Sequence, residues 1–155
     1  ALQSMGAKKI GLVTPYIEEV SDSVARYFEG FGITVDKNVC MGCESDYEIS
    51  RVSDQTMIDA AIEVSKDVDA IFMSCAAFPA TRVIKQIEHE TGIPVVTSNQ
   101  AMIWMACRIM GINDAIDLGE LFKYKMEDKN EENISNWWCW VCWYYFSSNV
   151  VRERL

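Results

Sequence analysis

Cys75 is the residue of this chain best placed to do chemistry. It follows the apolar run Ala70-Ile71-Phe72-Met73 and Ser74, and it precedes Ala76-Ala77-Phe78-Pro79. A thiol at the carboxyl end of a buried strand, facing the start of a helix, sits where a protein most readily holds a thiolate or an anion. A helix predicted from Pro79 lowers the expected pKa of Cys75. The N–H groups of Ala76 and Ala77 fall where a developing negative charge needs donors. A buried structural cysteine is the plain alternative, because cysteine is among the most buried residue types. Cysteine–histidine catalysis is not indicated. The one histidine, His89, stands between Glu88 and Glu90 and reads as a solvated surface residue.

The remaining cysteines offer weaker chemistry. Cys40-Met41-Gly42-Cys43 and Cys139-Trp140-Val141-Cys142 could in principle supply four thiolates to zinc. Their separation is far longer than the roughly 15–20 residues usual in zinc ribbons, so no metal site is predicted. A thioredoxin-like role for Cys40 and Cys43 lacks a helix onset at the second thiol. Neither a G-x-G-x-x-G nor a G-x-x-x-x-G-K-[ST] pattern occurs, which removes dinucleotide and P-loop readings. A small carboxylate is a better candidate ligand than a nucleotide, and no cofactor is expected.

Composition narrows the class. The chain has 155 residues, half of them hydrophobic, and a formal net charge of −9. That length supports one sizeable core. The acidic balance argues against nucleic acid, whose phosphates require a basic face. No apolar run approaches the roughly 20 residues of a membrane helix, and no basic segment precedes an apolar one as in a secretory signal. Six cysteines without such a signal read as reduced thiols of a cytoplasmic protein.

The elements that would position Cys75 alternate in type. Lys9 to Thr14 reads as a buried strand and Glu18 to Phe31 as an amphipathic helix. Ile33 to Val39 alternates as a more polar strand, and Asp54 to Lys66 has helical spacing behind Ser53 or Asp54 as cap. Asp69 to Met73 is the third strand, Pro79 to Glu90 a helix, Ile93 to Thr97 the fourth strand and Gln100 to Met110 a helix. Such alternation predicts an α/β fold: a parallel four-stranded sheet flanked by helices over residues 1–112. Ligands of these sheets bind beyond the carboxyl ends of the strands. Thr14 to Tyr16, Cys43 to Tyr47, Ser74 to Ala77 and Thr97 to Asn99 therefore converge. Thr14, Ser74, Ala76 and Ala77 become candidate substrate contacts. From 113 to 155 the pattern breaks into a polar stretch and then an irregular aromatic tail, Trp137 to Phe146, expected to be helical or a dimer contact.

Three motifs in order now carry a resemblance. Lys9-Ile10-Gly11-Leu12-Val13-Thr14-Pro15-Tyr16, Ser74-Cys75-Ala76-Ala77 and Pro94-Val95-Val96-Thr97-Ser98-Asn99-Gln100-Ala101 resemble the maleate cis-trans isomerase and arylmalonate decarboxylase branch of the aspartate/glutamate racemase superfamily. The resemblance implies a two-domain racemase-type fold of which this chain is the second, carboxyl-terminal, flavodoxin-like half. Ala1 to Gly6 then corresponds to the end of the helix that precedes that half. It also implies cofactor-independent isomerase, racemase or decarboxylase chemistry on a small carboxylate or dicarboxylate, most like maleate isomerase. Cys75 matches the second-half catalytic cysteine, and Tyr16 a substrate-facing tyrosine. Asp46 stands about where the isomerases tend to carry an asparagine that binds a substrate carboxylate, and its charge departs from that pattern. Ser98 and Asn99 are expected to support the loop. A half-fold of this kind is expected to be catalytically incomplete alone, with a homodimer or the missing amino-terminal half supplying the facing wall. A non-catalytic α/β binding or dimerisation module is the rival expectation.

Overall fold

The structure is a computed structural model and describes residues 1–114 and 116–126. Four strands, Lys9–Thr14 (β1), Thr34–Cys40 (β2), Ala70–Met73 (β3) and Val95–Thr97 (β4), form one parallel sheet in the order β2-β1-β3-β4. The helices are Glu18–Gly30 (α1), the short Asp46–Ile49 (α2), Asp54–Glu63 (α3), Ile84–Thr91 (α4) and Ser98–Ile109 (α5). The α/β sheet expected from the alternation is therefore present. Strand residues divide between two cores because successive side chains point to opposite faces. Val13, Ile71, Met73 and Val95 pack with Met57, Ile58 and Ala61 of α3 and Ile84 and Ile87 of α4. Ile10, Leu12, Phe72 and Val96 pack on the other face with Val24 and Phe28 of α1 and Trp104 of α5. β2 lies at the edge, which accounts for its polar sequence.

Local chemistry explains the helix starts. Ser53 caps α3 by accepting from the Thr56 N–H at 3.1 Å. Thr97 and Gln100 form a reciprocal capping box that begins α5 at Ser98, two residues earlier than periodicity predicts. One expectation is corrected. No α-helix starts at Pro79: a 3-10 turn covers Ala80–Arg82, and α4 begins only at Ile84. Proline marked the onset correctly for a turn, but the first α-helical N–H groups lie further from Cys75. The first residues form a 3-10 turn, Gln3–Met5.

Packing also continues past residue 112. Leu121 and Phe122 are buried in the core beside Trp104. The Arg108 guanidinium is buried and donates to the carbonyls of Ile112 (2.8 Å), Phe122 (2.7 Å) and Tyr124 (3.1 Å). Trp104 Nε1 donates to the same Tyr124 carbonyl at 3.1 Å. These bonds tie the segment after α5 onto the sheet face. The aromatic tail, Trp137 to Phe146, lies outside the described residues.

Gly11 shows how tightly the central strand is covered. A Cβ there would fall 2.3 Å from the Val64 carbonyl oxygen at the end of α3. Gly11→Ala must push α3 outward, and the expected loss is about 1–3 kcal/mol of stability. A urea titration reads this as a lower midpoint at unchanged slope.

Candidate active site

The sheet order places β1 and β3 side by side, with their following connections leaving toward opposite edges. That is the switch point where open α/β sheets bind ligands. The floor of the crevice is built from backbone bonds between loops. Met41, Gly42 and Cys43 donate their N–H groups to the carbonyls of Thr14 (3.0 Å), Tyr16 (3.0 Å) and Pro15 (2.8 Å). Ser74 donates to the Val13 carbonyl at 2.9 Å. The loops after β1, β2 and β3 thus form one surface.

Cys75 stands at its centre with a backbone φ of 94°, in the left-handed region that side chains rarely adopt. Neighbours from β4 and α5 hold it there. The Cys75 N–H donates to Ser98 Oγ at 3.0 Å, and Asn99 Nδ2 donates to the Ala76 carbonyl at 3.0 Å. The expected support of the loop by Ser98 and Asn99 is seen directly. The thiol is 5% exposed. Burial pushes its pKa up, and the negative charge of Asp46 adds to this. The Tyr16 hydroxyl and the N–H groups of Ala77 and Phe78 bond the sulfur and pull the other way, without prevailing. The thiolate expected from a nearby helix start is therefore corrected to a protonated thiol at neutral pH. α4 begins too late to offset the loss of water around the sulfur.

The other predicted residues divide. Tyr16, Ala77 and Asp46 act on the sulfur as described. The Ala76 carbonyl faces Asn99, so the amides that reach the sulfur come from Ala77 and Phe78, one residue later than predicted. Thr14 is fully buried, and its hydroxyl donates to Ser21 Oγ at 2.7 Å, which in turn donates to Asn38 Oδ1 at 2.7 Å. That relay ties β1 to α1 and β2. Ser74 is buried as well. Sequence reasoning missed the role of the Phe78 N–H, and it placed Cys43 in a converging loop without making it a site residue. Cys43 packs on the apolar cluster that contains Cys75; burial raises its pKa, and the charges of Glu48 and Cys75 add to this. His89 is exposed, as expected.

A cavity of about 610 Å³ lies elsewhere, between α4 and the segment 116–123, at the start of β4. Its charged groups answer one another: Lys85 pairs with Asp117, Lys123 with Glu120, and the Glu88 carboxylate accepts from the Val95 and Glu120 N–H groups. It is not the candidate site. Among the described residues, no three His, Cys, Asp or Glu side chains converge as a metal site requires, and no helix is long and apolar enough to cross a membrane.

Comparison with known proteins decides the relationship. The family model for arylmalonate decarboxylase matches residues 1–122. The chain belongs to the arylmalonate decarboxylase family. It is 28% identical over 113 residues to the arylmalonate decarboxylase of Bordetella bronchiseptica, covering 71% of this chain and 47% of that protein. It is 26% identical over 117 residues to the maleate isomerase of Nocardia farcinica, covering 74% and 47%. The fold matches the crystal structure of maleate isomerase from Pseudomonas putida S16 with maleate at a TM-score of 0.78 and 22% identity, covering 81% of this chain and 52% of that one. A crystal structure of arylmalonate decarboxylase matches at 0.70 and 26% identity, covering 78% and 55%. The chain thus spans about half the length of the curated relatives it matches.

Two expectations follow from the geometry. Asp46→Asn removes a negative charge that, after burial, helps to raise the Cys75 pKa, so that pKa falls. Alkylation of Cys75 by iodoacetamide at fixed pH then becomes modestly faster, read by mass spectrometry, because burial still dominates. Glycine fits the left-handed backbone better than a side chain does. Cys75→Gly should therefore be more stable than Cys75→Ala by about 1 kcal/mol in chemical denaturation.

Proposed function

We propose that this chain is the Cys75-bearing, carboxyl-terminal half of a cofactor-independent enzyme acting on a small carboxylate or dicarboxylate through an enediolate. The observation that carries this reading is the Cys75 sulfur, held at the carboxyl end of β3 with the Tyr16 hydroxyl and the Ala77 and Phe78 N–H groups on it. In this reading Cys75 reacts and Tyr16, Ala77 and the backbone around Ala76 meet the substrate. Thr14 and Ser74 shape the floor beneath it.

The balance of charge at the sulfur selects among routes. In a decarboxylation, the electrons of the bond to the departing carboxylate flow into the remaining carboxyl group, carbon dioxide leaves, and an enediolate remains. The Cys75 S–H then gives its proton to the α-carbon, and water reprotonates the sulfur. In an isomerisation, Cys75 must first lose its proton. The thiolate then bonds to one alkene carbon, the charge spreads into the neighbouring carboxylate, rotation follows, and the C–S bond breaks. A Nocardia farcinica maleate cis-trans isomerase is known with a covalently bound succinylcysteine intermediate, which supports a thiol in such a role. A thiol kept protonated by burial is already an acid, so this site favours proton donation to the α-carbon. Asp46 disfavours a second substrate carboxylate on its side of the crevice.

A site with one wall is incomplete, and a second copy of the chain or a separate amino-terminal half would supply the other. Alkylation tests the reading on the chain as it stands. Phenylmalonate or maleate should slow iodoacetamide modification of Cys75, while chloride at equal ionic strength should not. Proton NMR should then detect turnover of one of the two, lost in Cys75→Ser and rising with the dimer fraction in sedimentation. Absence of protection by either carboxylate rejects the proposal.

A further inference from the structure

α5 packs on the sheet with one side and leaves an apolar stripe on the other. Trp104 lies in the core, and Arg108, the one charged residue of the helix, is buried and bonded to three backbone carbonyls. Away from the sheet, Met102, Ile103, Ala106, Ile109 and Met110 recur at helical spacing with no charge among them. Among the described residues little covers them: Ile103 is 47% exposed, Ile109 48% and Met110 65%, and Ala106 is exposed as well. A helix facing water ordinarily carries charged or polar residues there, so the stripe has the character of a contact face.

The stripe also reads the same in both directions. Met102-Ile103, then Ala106, then Ile109-Met110 is a palindrome centred on Ala106. At about 100° per residue, Ile103 and Met110 fall on one side of the line through Ala106, and Met102 and Ile109 on the other. Two such helices laid antiparallel about a two-fold axis therefore set Ile103 against the partner's Met110 and Met102 against the partner's Ile109. Alanine meets alanine at the centre, which lets the helix axes approach to about 8 Å. This is the self-complementarity that an isologous contact requires. Charge points to the same face. Each copy has a formal net charge of −9, and the α5 stripe is a face on which two copies meet without opposing carboxylates.

We propose that this stripe is a homodimer contact, in which α5 packs antiparallel on α5 of a second copy of the chain. The pairing reaches the candidate site. Asn99, in the first turn of α5, holds the Ala76 carbonyl beside Cys75 at 3.0 Å. The two-fold at Ala106 brings the end of the partner's α5 alongside that first turn, at the rim of the crevice. A helix face roughly 18 Å long and 10 Å wide falls well short of the roughly 800 Å² per partner of a standard interface. The dimer is therefore of the weak, concentration-dependent class. This inference concerns the association surface and does not depend on the substrate or on the chemistry of Cys75.

Sedimentation of the full chain from micromolar to millimolar concentration should show a reversible monomer–dimer equilibrium. Added salt should strengthen it, because screening relieves the acidic repulsion and leaves an apolar contact intact. Ile103→Glu and Met110→Lys change exposed positions, and circular dichroism checks that each variant is folded. Each alone should weaken the dimer by roughly tenfold or more, since it sets a charge against an apolar side chain. Mixed in equal amounts, the two variants should regain a dimer, because the new carboxylate and the new ammonium then face one another across the two-fold. Ala106→Glu, which sets two carboxylates together at the centre, should give the same loss and replaces either variant if that variant fails to fold. A chain that stays monomeric throughout, a dimer indifferent to these substitutions, or a mixture that remains monomeric overturns the proposal. Slow hydrogen exchange along α5 in a monomer would assign the stripe to another part of the same chain and overturn it as well.

Discussion

The contact from the Cys75 N–H to Ser98 Oγ, seconded by Asn99 on the Ala76 carbonyl, ties the loop after β3 to the start of α5. Cys75 turns through a left-handed backbone conformation that costs about 1–3 kcal/mol for a residue with a side chain. Left to itself, the loop after β3 would relax to an ordinary turn and carry the sulfur elsewhere. Ser98 and Asn99 sit in the first turn of α5, whose start is fixed by the Thr97–Gln100 capping box. The cap, the helix start and the loop conformation are thus one mechanical unit. Trp104 and Arg108 further along α5 anchor that unit to the sheet face and to the segment ending at Tyr124. The sulfur's position therefore depends on packing some distance from it.

Much of this was legible in the sequence because the sheet is buried on both faces. Near-continuous apolar runs bounded by Pro15, Ser74 and Ser98 mark strand ends without ambiguity, and the strand ends fix where loops converge. Cys75, Tyr16 and Asp46 emerge from that convergence and from family resemblance together. Details set by three-dimensional competition did not emerge. Pro79 suits a helix start and a 3-10 turn equally, so the delayed onset of α4 at Ile84 had no local signal. Thr14 has a hydroxyl at the right strand end, but Ser21 and Asn38 claim it from below, and those partners come from other elements. Residues 113–126 looked like the start of a tail because their polar sequence hides two buried side chains, Leu121 and Phe122, and a set of carbonyls that Arg108 needs.

The protonation state of Cys75 is the clearest case of one effect outweighing another. Position at a strand end predicts stabilisation of the anion, and donors to the sulfur do exist. Burial acts on the whole charge, whereas each hydrogen bond recovers only part of the lost hydration. A carboxylate at Asp46 tilts the balance further. The result is a buried acid with a hydrogen-bonded sulfur. Such a group delivers a proton readily to a carbanion-like centre, while acting as a nucleophile only after a base removes that proton.

This balance constrains what must face the site. On the proposed reading, an enediolate places new negative charge beside a sulfur that has just lost its proton, in a chain whose formal net charge is already −9. The wall described here offers the Tyr16 hydroxyl and two amides, and Asp46 opposes any further anion. Closing the crevice with another apolar surface would deepen the desolvation and raise the energy of both charges. The facing wall therefore has to bring hydrogen-bond donors or a cation aimed at the substrate's carboxylate. A second copy of this chain would bring the same donors and the same Asp46, and so would stabilise one carboxylate better than two. An amino-terminal half with its own donors would relieve that limit.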